Sequence, residues 1–147
     1  MKSLLTITIV FLTTVFSVRS QSTLLNSYYG IKNALVNSDA ATASVKANEF
    51  IRASDSINIP ALKDKLISDA KLIAATKDIQ AQRNYFASLS LNLYSLAKQI
   101  KLSDESIYQA YCPMKKMYWL SSEKEIKNPY YGKLMLTCGN VTDTIKP

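Results

Sequence analysis

Between Thr23 and Ser103 the chain contains a single glycine, Gly30, and a single proline, Pro60. A stretch with so few breakers, carrying apolar residues at spacings of three and four, reads as a succession of amphipathic helices. The first is expected over residues 23–36, with Leu24, Tyr28, Ile31 and Leu35 on one face. Ser38-Asp39 is a helix-start signal for a second helix over 40–53, with Val45, Phe50 and Ile51 turned inward. Pro60 suits the first turn of a third helix running to about Thr76, where its missing N–H costs nothing. Asp78 then precedes a fourth helix in which Ile79, Phe86, Leu93 and Ile100 recur every seven residues, with Leu89 and Leu96 between them. Gln82 is the polar interruption of that stripe. Four such helices with short joints predict a mainly α fold, an antiparallel four-helix bundle of the up-down kind.

After Ser103 the character changes. Residues 108–139 hold five of the nine Tyr, the only Trp (Trp119), both Cys and every Met except Met1. Helical periodicity is lost. Short strand-like runs are expected at 116–120 and 133–137, on either side of the turn-like Asn128-Pro129-Tyr130-Tyr131-Gly132. The prediction is a short β-containing, aromatic-rich C-terminal appendage, about 108–147, on one helical domain spanning 21–147. Its rings would supply contact area against the helices.

The N-terminus reads as an address. A basic start, an apolar run from Leu4 to Val18 and the small-residue pattern Val18-Arg19-Ser20 predict a signal peptide, residues 1–20, cleaved before Gln21. The run is shorter than the roughly 20 residues a spanning helix needs, with an uncleaved anchor as the alternative. The expected location is periplasmic or secreted, with no membrane span after cleavage. Losing Lys2 and Arg19 takes the chain from net +7 to 16 basic and 11 acidic residues, a net of +5. The signs are interspersed, as in Lys63-Asp64-Lys65, which describes a solvated surface rather than a nucleic-acid-binding stripe.

There is no histidine. Nucleophilic sites built on imidazole are excluded, as are zinc sites that use it. The acidic pairs Asp104/Glu105 and Glu123/Glu125 lie in charge runs and read as surface, so no enzyme is expected. The chemically distinctive feature is sulfur: Cys112, Met114, Met117, Met135 and Cys138 fall within 27 consecutive residues. Thiolate and thioether together select a soft cation such as Cu(I). If the two sulfur-bearing segments pair, Cys112, Met114, Met135 and Cys138 could converge as its ligands. The same two cysteines in an exported protein also suit a disulfide, which would stabilise the fold by roughly 3.5 kcal/mol for a loop of this length. The methionines would then fill gaps against Tyr and Trp rings.

The strings Tyr111-Cys-Pro-Met114, Tyr118-Trp-Leu-Ser121, Asn128-Pro-Tyr-Tyr-Gly132 and Met135-Leu-Thr-Cys-Gly139 resemble an uncharacterised periplasmic domain family of Gram-negative bacteria. That family also occurs fused to, or encoded beside, periplasmic adaptors of copper and silver RND efflux pumps. The resemblance extends upstream through Gln82-Arg83, Phe86, Leu89-Ser90 and Leu93-Tyr94 to Tyr28-Tyr29 and the Ala34–Ala40 joint. It implies a helical bundle with a short β tail and a role in copper or other heavy-metal handling, with an efflux adaptor or envelope protein as partner. Carried over residue by residue, it again points to Cys112, Met114, Met135 and Cys138 as metal positions. The chain departs from the pattern in two places: at Asn84-Tyr85, where many relatives carry a His, and in a shortened stretch between Met114 and Trp119 that holds Met117. The alternative function is a non-catalytic interaction module stapled by a Cys112–Cys138 bridge.

Overall fold

The computed structural model describes residues 22–147, so the expected leader lies outside the described residues. Four helices come first: α1 over residues 22–36, α2 Ala40–Ala53, α3 Pro60–Ala75 and α4 Ile79–Ala97. A small antiparallel sheet follows, made of β1 (Ile107–Cys112), β2 (Met117–Ser121) and β3 (Asn140–Ile145) in the order β2-β1-β3. The protein is thus mainly helical with a three-stranded C-terminal sheet.

The helix ends follow from local chemistry. Asp39 caps α2 by accepting from the Thr42 amide at 2.9 Å, and Asp78 caps α4 by accepting from Gln80 at 2.8 Å. Pro60 opens α3. All four apolar positions expected on α1 are buried. On α2 the expectation holds for Phe50 and fails for Val45, which is 56% exposed. Ala43 and Ala47 form the buried stripe there, because α2 meets its neighbours at close range and small side chains fill the contact.

Helix α2 packs on α3 and α3 on α4, while α1 reaches α4 through Tyr28, whose ring stacks on Phe86 at 4.9 Å. Gln82 does not interrupt this core. It is fully buried, and its Nε2 donates to Ala40 O and Thr76 O (both 2.9 Å), Ser44 Oγ (3.0 Å) and Ile73 O (3.2 Å). One amide therefore joins the start of α2, the end of α3 and the start of α4, and two of its acceptors, Ile73 O and Thr76 O, are carbonyls that the end of α3 leaves without helical partners.

Two polar groups fasten the sheet to the helices. The Tyr28 hydroxyl is 2.7 Å from Ser90 Oγ and accepts from the Leu120 amide of β2 at 2.9 Å. Arg83, buried on α4, donates from Nε to Pro129 O (2.8 Å) and from Nη2 to Leu35 O and Ser38 Oγ (both 3.0 Å). Gly132 lies against this clamp with φ +57°, and a Cβ there would sit 2.7 Å from Val36 O. Glycine is required at that position on both counts.

Strand β2 coincides closely with the expected run 116–120. The expected strand at 133–137 is not one: Gly132–Met135 forms a 3-10 turn, and the strand begins only at Asn140. Left-handed Gly132 and the short carbonyl-to-amide spacing of the turn curl this segment back over the sheet, where it hydrogen-bonds to itself through Asn128 N to Leu136 O at 2.8 Å.

Candidate functional site

The sulfur residues meet because of strand register. Strand β1 pairs with β3 through Ala110↔Val141 and Tyr111↔Asn140, so the antiparallel ladder brings Cys138, two residues before β3, beside Cys112 at the end of β1. Gly139 makes the approach possible: its φ is +143°, and a Cβ there would lie 2.8 Å from the Trp119 ring and 2.9 Å from Tyr111 O. Asn128 holds the same point from outside, its Nδ2 donating to Cys138 O at 2.7 Å. Tyr130, whose hydroxyl donates to Tyr118 O, lies edge-on to Trp119 and fixes the covering segment.

Both cysteines are free thiols, Cys112 buried and Cys138 half-buried. Cys112 lies close enough to act on the Cys138 thiol. Loss of hydration pushes the Cys138 thiol above its ordinary pKa, the neighbouring Cys112 thiol pushes it further, and the Met114 amide pointing at its sulfur opposes the shift. A thiol held in its neutral form is a poorer nucleophile at neutral pH.

The methionines separate into two groups. Met114 and Met135 approach Cys138 with their backbones: the Met114 N–H faces its sulfur, and the Met135 carbonyl accepts its N–H at 3.1 Å. Their side chains are 63% and 38% exposed. Met117, absent from the expected ligand set, is the direct cross-strand partner of Cys112. Directly opposed residues share a sheet face, which puts its thioether on the side of Cys112, Ala110 and Trp119. The turn that brings Met117 round closes with Lys116 N donating to Cys112 O at 2.8 Å. A hairpin with a four-residue turn could have revealed this pairing, had the strand before Pro113 been recognised.

Among the described residues no three His, Cys, Asp or Glu side chains are grouped to hold a metal ion. The donor set is thus two thiols with thioethers nearby. That chemistry fits a soft monovalent ion of low coordination number and does not fit Mg or Ca, which need oxygen ligands.

Neither a curated protein nor a solved structure matches the chain. A family model described as "Protein of unknown function (DUF3347)" matches residues 24–105, more than half of the chain. The match runs from α1 to the segment before β1, and the tail with its cysteines lies beyond it. The chain belongs, on the strength of its helices, to the DUF3347 family.

Proposed function

We propose that this is an exported protein that binds a soft monovalent ion, Cu(I) or Ag(I), in heavy-metal handling. Cys112 and Cys138 would supply the thiolates, with thioethers from Met117 and from Met114 or Met135 after rotation of exposed side chains. The observation that carries this reading is the direct approach of the two thiols across the β1–β3 register. We read the four helices as an antiparallel bundle that carries the site, a reading supported by the short joints and by the packing of α2 on α3 and α3 on α4. The partner in this proposal is a heavy-metal efflux adaptor or another envelope protein.

Titration of the reduced protein with Cu(I) against a chromogenic chelator tests it. Competition at submicromolar concentration is expected, with complete loss in the Cys112→Ser/Cys138→Ser variant and partial loss in Met117→Leu. Failure to compete, or undiminished competition by the double serine variant, refutes the site. Because both thiols must give up protons to the metal, apparent affinity should rise with pH, by about tenfold per pH unit for each proton released. A titration repeated across neutral pH reads that slope, and a flat profile would mean that thiolates are not the ligands.

The closeness of the thiols also favours a second reading, the interaction module with a Cys112–Cys138 disulfide. Intact mass of the exported protein before and after reduction separates the two, since the bridge removes two hydrogens.

A further inference from the structure

The surface over the sulfur residues has an unusual composition. Leu134, at the tip of the 3-10 turn, is 87% exposed, and Met114, at the tip of the β1–β2 turn, is 63% exposed. The two tips are neighbours. Lys115, next to Met114, places its ammonium 5.1 Å from the Tyr131 ring, and Cys138, just past the 3-10 turn, receives the Met114 amide at its sulfur. Met135, 38% exposed, follows Leu134 in the same turn.

Charge surrounds these side chains with one sign. Lys115, Lys116 and Lys133 flank them, and no Asp or Glu occurs in 106–122 or in 126–142. Among the described residues every ion pair lies elsewhere, on Lys46, Lys63, Lys98, Lys101 and Lys127. The interspersed signs of the helices therefore give way, in these two turns, to exposed apolar side chains whose charged chain neighbours are lysines without ion pairs. Exposed large apolar side chains at turn tips cost solubility and contribute nothing to a core. Lysines beside exposed apolar side chains are complementary to a surface that is anionic outside and hydrocarbon beneath.

We propose that the face formed by Met114, Leu134 and Met135 with Lys115, Lys116 and Lys133 docks the protein on an anionic phospholipid bilayer. The lysines would sit among the lipid phosphates, and Leu134 and the methionines would enter the headgroup–acyl boundary. Nothing spans the bilayer in this arrangement, and no described helix is long and apolar enough to do so. The proposal does not use the two thiols; Met114 and Met135 belong to both readings, so vesicle binding is measured on the metal-free protein.

Co-sedimentation with phosphatidylcholine vesicles containing about 30 mol% phosphatidylglycerol tests it. The apolar run Leu4–Val18 would bind lipid if retained, so the reading is the difference between the parent and its variants. Binding should fall about a hundredfold in Lys115→Glu/Lys116→Glu/Lys133→Glu and roughly tenfold in Leu134→Ser/Met114→Ser. It should also weaken steeply with added salt and be minor on pure phosphatidylcholine. The substituted side chains are exposed except Lys115, which is half-buried over the Tyr131 ring, and an unchanged near-ultraviolet Trp119 spectrum would verify the fold. Parent and variants sedimenting equally would overturn the proposal. Retention on polyglutamate beads that these variants abolish, with no vesicle binding by the parent, would also overturn it and assign the face to an acidic protein.

Discussion

Replacing Gln82 by Glu is expected to make the protein progressively less stable as pH rises from about 4 towards neutrality. The Gln82 Nε2 stands within 2.9–3.2 Å of four oxygens, so a carboxylate would set a fifth oxygen in the place of the donor. The amide's own oxygen, Oε1, already has no partner in the core. An ionised carboxylate at this position would be a buried charge facing carbonyl dipoles. The folded variant therefore retains the protonated form, and the pKa of the new side chain rises above the ~4.3 of the unfolded chain. A folded state that holds a proton the unfolded state releases loses stability above the unfolded pKa, at about 1.4 kcal/mol per pH unit. By neutral pH the Gln82→Glu variant should have lost roughly 3–4 kcal/mol through this linkage, beyond the cost of the missing donor. Gln82→Met, which lacks the charge, should cost about 2 kcal/mol at every pH, since it only leaves acceptors unpaired. Denaturant midpoints of both variants at several pH values decide the matter. Parallel pH profiles would show that the four-oxygen seat is not what constrains this position.

Arg83→Met should cost about 3–5 kcal/mol and loosen the tail before the helices. The guanidinium has no carboxylate partner, and its charge is satisfied by Pro129 O, Leu35 O and Ser38 Oγ. Methionine can fill the volume, but it strands two buried carbonyls and removes the link from α4 to the covering segment that ends in Cys138. Lys is not an equivalent, because one ammonium nitrogen cannot stand at both of the separated positions that Nε and Nη2 occupy. The expected signature is local. Amide exchange at 128–132 and reaction of Cys112 with a thiol reagent should accelerate more than global unfolding does. Equal acceleration of all three would mean that the clamp contributes only to overall stability.

Helix positions are legible in the residue order because each depends on nearby residues: Asp39 and Asp78 as caps, Pro60 at a first turn, and the α1 stripe. Val45 departs from its pattern because alanines occupy the contact with neighbouring helices, and periodicity gives small side chains little weight. In the tail, β1 is hard to see although its residues are strand formers, since Pro113 and the cysteines obscure its end. The run 133–137 has a composition that permits strand or turn, and left-handed Gly132 decides between them.

Residue order alone establishes that amphipathic helical segments precede a sulfur- and aromatic-rich tail, and that no site in this chain can use imidazole. These are properties of composition and of spacing within one turn or one cap. What the residues do together emerges only when the chain is folded. Gln82 and Arg83 look like polar faults in an apolar stripe, yet they bond backbone oxygens 42 and 46 residues distant. Cys112 and Cys138 are neighbours because of the β1–β3 register, and Met117 shares a face with Cys112 because of β1–β2. Pairing between strands follows from which buried polar groups find partners across the whole fold, and no local pattern encodes it.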